Sequence, residues 1–116
     1  MVYIWDGASS DKRSIAMLNE YNPSEVIGMT NHVLVNYEDK LIKEGLGRNG
    51  HIVANLQGEF IREGNNNKGK ILAVIKGNEI IEADSENILL FKIEGIASKI
   101  EKAALTVAAL ILDGQI

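Results

Sequence analysis

Ten residues near the C-terminus, Ala103 to Leu112, hold a single polar side chain, Thr106. The stretch is rich in alanine and leucine, both good helix formers. At about 100° per residue, Ile96, Ile100, Ala103, Ala104 and Val107 share one helix face, which predicts a helix from about Ile96 to Asp113. Leu105, Ala109 and Leu112 then fall on the side that a surface helix leaves to water. A helix that is apolar all round has to be buried all round. Ten residues are too few to cross a bilayer, which takes about 20. Whatever the chain folds into must therefore surround this segment with protein.

The rest of the chain is apolar enough for a core without staples, but one small sheet would leave part of this helix to an interface. It is 46% hydrophobic with only 5% aromatic residues, and sixteen isoleucines make the core aliphatic. At 116 residues it reads as a single domain, 1–116, able to bury roughly 65% of its unfolded surface. The absence of cysteine excludes disulfides, a thiolate nucleophile and any cysteine-held metal. A net charge of -4 argues against a general nucleic-acid or anionic-membrane surface. Met1 to Asp6 lacks the basic-then-apolar order of a secretory leader, so a cytoplasmic location is expected, with no membrane partner.

Local signals divide the chain in three. Val2 to Trp5 is short and β-prone. Asp6-Gly7-Ala8-Ser9-Ser10-Asp11 then supplies helix N-cap residues, which predicts a first helix over about 11–20. Asn22-Pro23-Ser24-Glu25 has the order of a cap, a first-turn proline and a capping box. It predicts a second helix from Ser24 to about Glu44, ended by Gly45. On that helix Val26, Ile27, Thr30, Val33, Leu34, Tyr37 and Leu41 would form one face.

From His51 the period becomes two, predicting strands over 51–56, 59–63, 71–76, 79–83 and 88–93. Gln57-Gly58 and Gly77-Asn78 would be their turns. The expected fold class is thus α+β: an antiparallel β-meander of four to five strands with helices N-terminal and C-terminal to it, packed on one face. The chain reads without an internal repeat.

Candidate sites are weak. Gly45-Leu46-Gly47-Arg48-Asn49-Gly50 spells G-x-G-x-x-G. A dinucleotide fingerprint needs a strand before it and a helix after it, and here the expected order is reversed, so a cap running into a strand is the better reading. The loop carrying Gly7, Ser9, Ser10, Lys12 and Arg13 is the better anion candidate, since hydroxyls and open amides at a helix start can hold phosphate or carboxylate. Simple capping, which serine satisfies without any ligand, is the better reading. His32 would sit on the polar side of the second helix with Asn36 four residues on, making it the one weak catalytic candidate. Neither H-x-x-x-H nor H-E-x-x-H occurs, so no metal site and no cofactor are expected.

Val35 and Ile42 on the second helix, with Leu105 and Leu112 on the last, fall outside the expected core stripes. They suggest a homo-oligomer formed through those helices. The expected function is a small oligomeric binding or assembly module without catalysis. The alternative is an enzyme or sensor for a small phosphorylated or carboxylated metabolite.

Overall fold

The computed structural model describes residues 2–7, 14–22, 24–45, 50–84 and 88–114. Ten strands run in chain order: β1 (Tyr3–Asp6), β2 (Ser14–Leu18), β3 (Glu25–Gly28), β4 (Val33–Glu38) and β5 (Leu41–Glu44) form the first half. The second half is β6 (Ile52–Gln57), β7 (Phe60–Glu63), β8 (Ile71–Lys76), β9 (Glu79–Glu82) and β10 (Leu89–Glu94), followed by one helix, α1 (Lys99–Leu112). Each strand pairs antiparallel with its chain neighbours, and β1 pairs with both β2 and β10. The sheet is therefore a closed barrel. The expected α+β meander covered on one face is overturned, along with its two N-terminal helices.

α1 occupies the lumen. Ala103 through Leu110 are buried without a break, and the helix touches strands right around the ring, from β1 to β6 and β8. Ten strands spaced about 4.8 Å and tilted about 40° close on a radius of roughly 10 Å. That leaves room for one helix of about 10–12 Å overall diameter, provided that facing side chains are small. They are: Ala103, Ala104, Ala108 and Ala109 on the helix meet a wall that includes Ala16, Ala54 and Ala73, all fully buried. Thr106, also fully buried, donates its hydroxyl to Lys102 O at 2.8 Å, so its polar atom has a partner inside the helix. The start of α1 is set by Ser98 and Glu101, which form a reciprocal capping box.

The wall repeats. Inward residues face each other across five strand pairs in one register: Leu18↔Val26, Tyr37↔Ile42, Leu56↔Ile61, Ile75↔Ile80 and Ile93↔Ile4. One backbone bond recurs at each pair, from Leu18 N to Val2 O, Tyr37 N to Ser24 O, Leu56 N to Lys40 O, Ile75 N to Glu59 O and Ile93 N to Asn78 O. Over the middle units the period is 19 residues. Thus Asp39, Gly58 and Gly77 each open a tight turn with positive φ. The chain does carry an internal repeat, of a two-stranded unit set five times around the helix. It escapes a reading by residue identity because what recurs is size and side, not type.

The region expected as a second helix shows why that reading fails. Asn22 does cap, but it caps a turn: its carbonyl accepts from Glu25 N at 3.0 Å and its side chain from Ser24 N at 3.3 Å. The reversals of β3 into β4 and of β4 into β5 use Asn31 (φ 65) and Asp39 (φ 57), non-glycine residues that enter the left-handed region more readily than most. Val26, Val35 and Ile42 are inward and fully buried, while Ile27 and Leu34 on the other face are also part-covered. Apolar residues on both faces of short strands imitate a helical stripe. Gly45 has the expected positive φ but ends a strand. Of the first expected helix, 11–13 lie outside the described residues and 14–18 form β2.

Two tests follow from the packed lumen. Ala54→Leu adds three carbons where wall and helix already touch, and is expected to cost about 1–3 kcal/mol, read as a lowered urea midpoint with unchanged m-value. Tyr37 is the one inward ring member with a hydroxyl, and burial, then the Glu101 carboxylate, push its pKa above the ordinary 10.0. The unfolded chain ionises this phenol first, so stability should fall as pH rises past 10. Tyr37→Phe should flatten that slope when denaturation is compared between pH 9 and pH 11 (a window set by the usual phenol pKa of about 10).

Candidate functional site

The two ends of the barrel differ. Tight turns such as 39–40, 58–59 and 77–78 cluster where α1 begins, and Lys102 Nζ donates to Gly77 O at 2.8 Å there. The longer connections leave the described strands at the other end, after Glu44, Glu63 and Glu82, where α1 terminates.

The bases of these longer loops are built alike. Glu44 N bonds His51 O and Glu63 N bonds Lys70 O, both at 2.8 Å. Asn36 Nδ2 reaches Gly45 O at 2.7 Å, and Asn55 Nδ2 reaches Gly64 O at 2.8 Å. Gly50 and Gly69 lie so close to the preceding strand that an added Cβ would meet Glu44 O at 2.4 Å and Glu63 O at 1.8 Å. Only glycine fits there. Asn55 is the more deeply buried strap: it is 1% exposed, also donates to Asn66 O at 3.1 Å, and accepts from Gln57 Nε2 at 2.9 Å.

This regularity creates two equivalent concavities. The first, of about 480 Å³, is lined by His51, Ile52, Val53, Glu63, Gly64, Lys70 and Leu72. It runs on toward Gly50 and Asn65. Nineteen residues later, Lys70, Ile71, Leu72, Glu82 and Ala83 line a second, of about 320 Å³, together with Asp84, Leu90 and Phe91. Only the second is completed by the helix, through Leu110 and Asp113. Its floor is aliphatic and aromatic, and its rim carries three carboxylates, Glu82, Asp84 and Asp113, against one ammonium, Lys70. Glu82 stands opposite the inward Ala73, as Glu63 stands opposite Ala54, Glu44 opposite Val35, and Asp6 opposite Phe91. Residues directly opposite share a face, so carboxylates from four units ring the mouth around the helix end.

The residues singled out from sequence do not meet here. His32 lies exposed in the β3–β4 turn rather than on a helix, and Asn36 is engaged with Gly45. Gly7 packs beside β10: its N–H bonds Leu90 O at 3.0 Å, and an added Cβ would sit 2.6 Å from Leu89 Cγ. Ser9, Ser10, Lys12 and Arg13 lie outside the described residues, as do 46–49 of the G-x-G-x-x-G motif. That motif joins two strands, so it is neither a helix cap nor a strand-to-helix phosphate loop. Of the residues proposed for self-association, Val35, Ile42 and Leu105 are fully buried inside the barrel, and Leu112 is 49% exposed at its mouth. Among the described residues no group of three or more His, Asp or Glu is placed to hold a metal ion, and no helix is long and apolar enough to cross a membrane. Lys70, Glu82 and Asp113 were missed as site residues. The signal that could have found Glu82 is the 19-residue spacing of Glu44, Glu63 and Glu82.

The strap is open to test. Asn55→Ala strands two carbonyls beneath the loop and is expected to cost about 1–3 kcal/mol. Asn36→Ala, which frees Gly45 O in the same way, is expected to destabilise as well, both read by chemical denaturation.

Comparison with known proteins gives one relationship. No curated protein and no solved structure matches the chain significantly. A family model described as "6-fold beta flower protein" matches residues 21–116, beginning after β2, so the two strands that close the barrel precede the matched segment. The described strands make five pairs rather than six. With a model spanning most of its length, and two-stranded units arrayed around a central helix, the chain belongs to the 6-fold beta flower family.

Proposed function

We propose that this protein is a cytoplasmic, non-catalytic binding module that takes a small ligand at the open end of its barrel. The cavity of about 320 Å³ at the end of α1 carries the reading. A helix fills the lumen, so the barrel cannot act as a carrier with an internal chamber, as barrels of similar strand number do. Recognition is left to the end where longer loops stand on a rigid frame, the usual division of labour between scaffold and loops. The mouth combines an apolar floor with a few charged groups, the composition of a ligand site.

Support for a non-catalytic role comes from the arrangement of reactive groups. His32 and His51 sit on different units. Ser24, Ser98 and Thr106 each bond within their own turn and so form no nucleophile–base pair. The acidic, cysteine-free composition makes no demand for an oxidising compartment.

The test is a small-molecule fragment screen by amide NMR on the full chain. Hits are expected to perturb Ile71–Leu72, Ala83–Asp84, Leu90–Phe91 and Leu110–Asp113 together. A screen without hits, or hits scattered over the barrel wall, would overturn the reading.

A further inference from the structure

The cavity at the end of α1 differs from its equivalent one unit earlier in what the helix adds. Helix C-termini carry roughly half a negative charge from unpaired carbonyls, and proteins commonly set lysine, arginine or histidine there. Here the last turn has no basic residue. The C-cap is Asp113, a carboxylate placed where the helix field disfavours it, and Gly114 (φ 74) turns the chain away directly after it. Glu82 and Asp84 converge on the same mouth from β9 and the turn that follows. Lys70 offsets one of these charges. Three carboxylates against one ammonium, beside a helix C-terminus and over an aliphatic floor, leave a net negative mouth that suits a cation.

The rest of the cavity says what kind of cation. Leu72, Leu90, Phe91 and Leu110 give it apolar walls, which a hydrated metal ion would not use. Among the described residues no three acidic or histidine groups come close enough for metal coordination either. A volume of about 320 Å³ takes a chain of roughly ten heavy atoms, at about 30 Å³ for each atom with its share of space. We propose that this cavity binds a small amphipathic amine, its ammonium at the rim that carries Glu82, Asp84 and Asp113 and its alkyl part over Leu90 and Leu110. The proposal rests on the binding-module reading and names its ligand class. It also explains the placement of Asp113, which capping alone does not.

Octylamine, octanol and octanoate share one alkyl chain and differ in charge, so they make direct probes of the full-length protein. With ligand up to about 1 mM, octylamine should bind at least tenfold more tightly than octanol. It should raise the Tm, shift the amides of Leu90 and Asp113, and weaken with added salt. Octanoate should bind least. Asp113→Asn and Glu82→Gln should each reduce octylamine affinity several-fold. Without ligand, Asp113→Asn should raise the Tm by roughly 1–4 °C, because it removes a charge from the wrong end of a helix. A purely structural Asp113 would instead lower the Tm on substitution. Equal binding of all three probes would overturn the amine assignment and leave the binding module standing. Absence of octylamine binding would also overturn the assignment, whereas the module itself fails only if the fragment screen finds nothing at the mouth.

Discussion

Everything in this structure depends on the burial of one helix on all sides. A segment such as Ala103–Leu110 cannot be satisfied by a single sheet, which covers one face and leaves the other wet. A closed barrel solves the problem with one chain. The solution places opposite demands on the two partners: the wall needs enough strands to encircle a helix, and both surfaces need small residues so that the backbones approach. Alanines at 16, 54 and 73 on the wall and at 103, 104, 108 and 109 on the helix meet those demands. The isoleucines at 4, 42, 61, 75, 80 and 93 complete the wall around them.

Closure also settles the fate of strand edges. An open ten-stranded sheet would present two edges of unpaired amides, a template for unwanted association. Here β1 lies between β2 and β10, so neither end of the sheet is left bare. The apolar excess that suggested contact between subunits is absorbed within the chain, since Val35, Ile42 and Leu105 are lumen residues. Self-association is then no longer required to explain the composition.

How much of this was legible in the sequence varies along the chain. α1 was legible because a ten-residue run with one polar side chain leaves little alternative, and the strands from β6 onward because Gly58 and Gly77 punctuate them. The N-terminal half was not, because Asn31 and Asp39 make turns without glycine and because Ile27 and Leu34 are apolar on the outward face. Closure could not be read at all: it needs β1 to meet β10, and nothing local in Tyr3–Asp6 announces a partner some ninety residues on (Tyr3 faces Glu94). The cavity was invisible for a related reason. Lys70, Glu82, Leu90 and Asp113 come from four elements that only the barrel brings together. His32, by contrast, drew attention as one of only two histidines, and rarity in composition carries no information about place.

The helix that organises the barrel is made after the ten strands that enclose it. A chain emerging from its N-terminus exposes ten strands whose inner faces have nothing to pack on until Lys99–Leu112 appears. The seam between Tyr3–Asp6 and Phe91–Glu94 must likewise wait for the far end of the chain. Contacts of such long sequence separation slow folding because loop closure comes before any reward. For this protein, then, the wall cannot close or fill until β10 and α1 have been made. Until then the nascent wall is an open, sticky sheet, and its safety in the cell depends on how soon the fourteen-residue helix arrives to fill it.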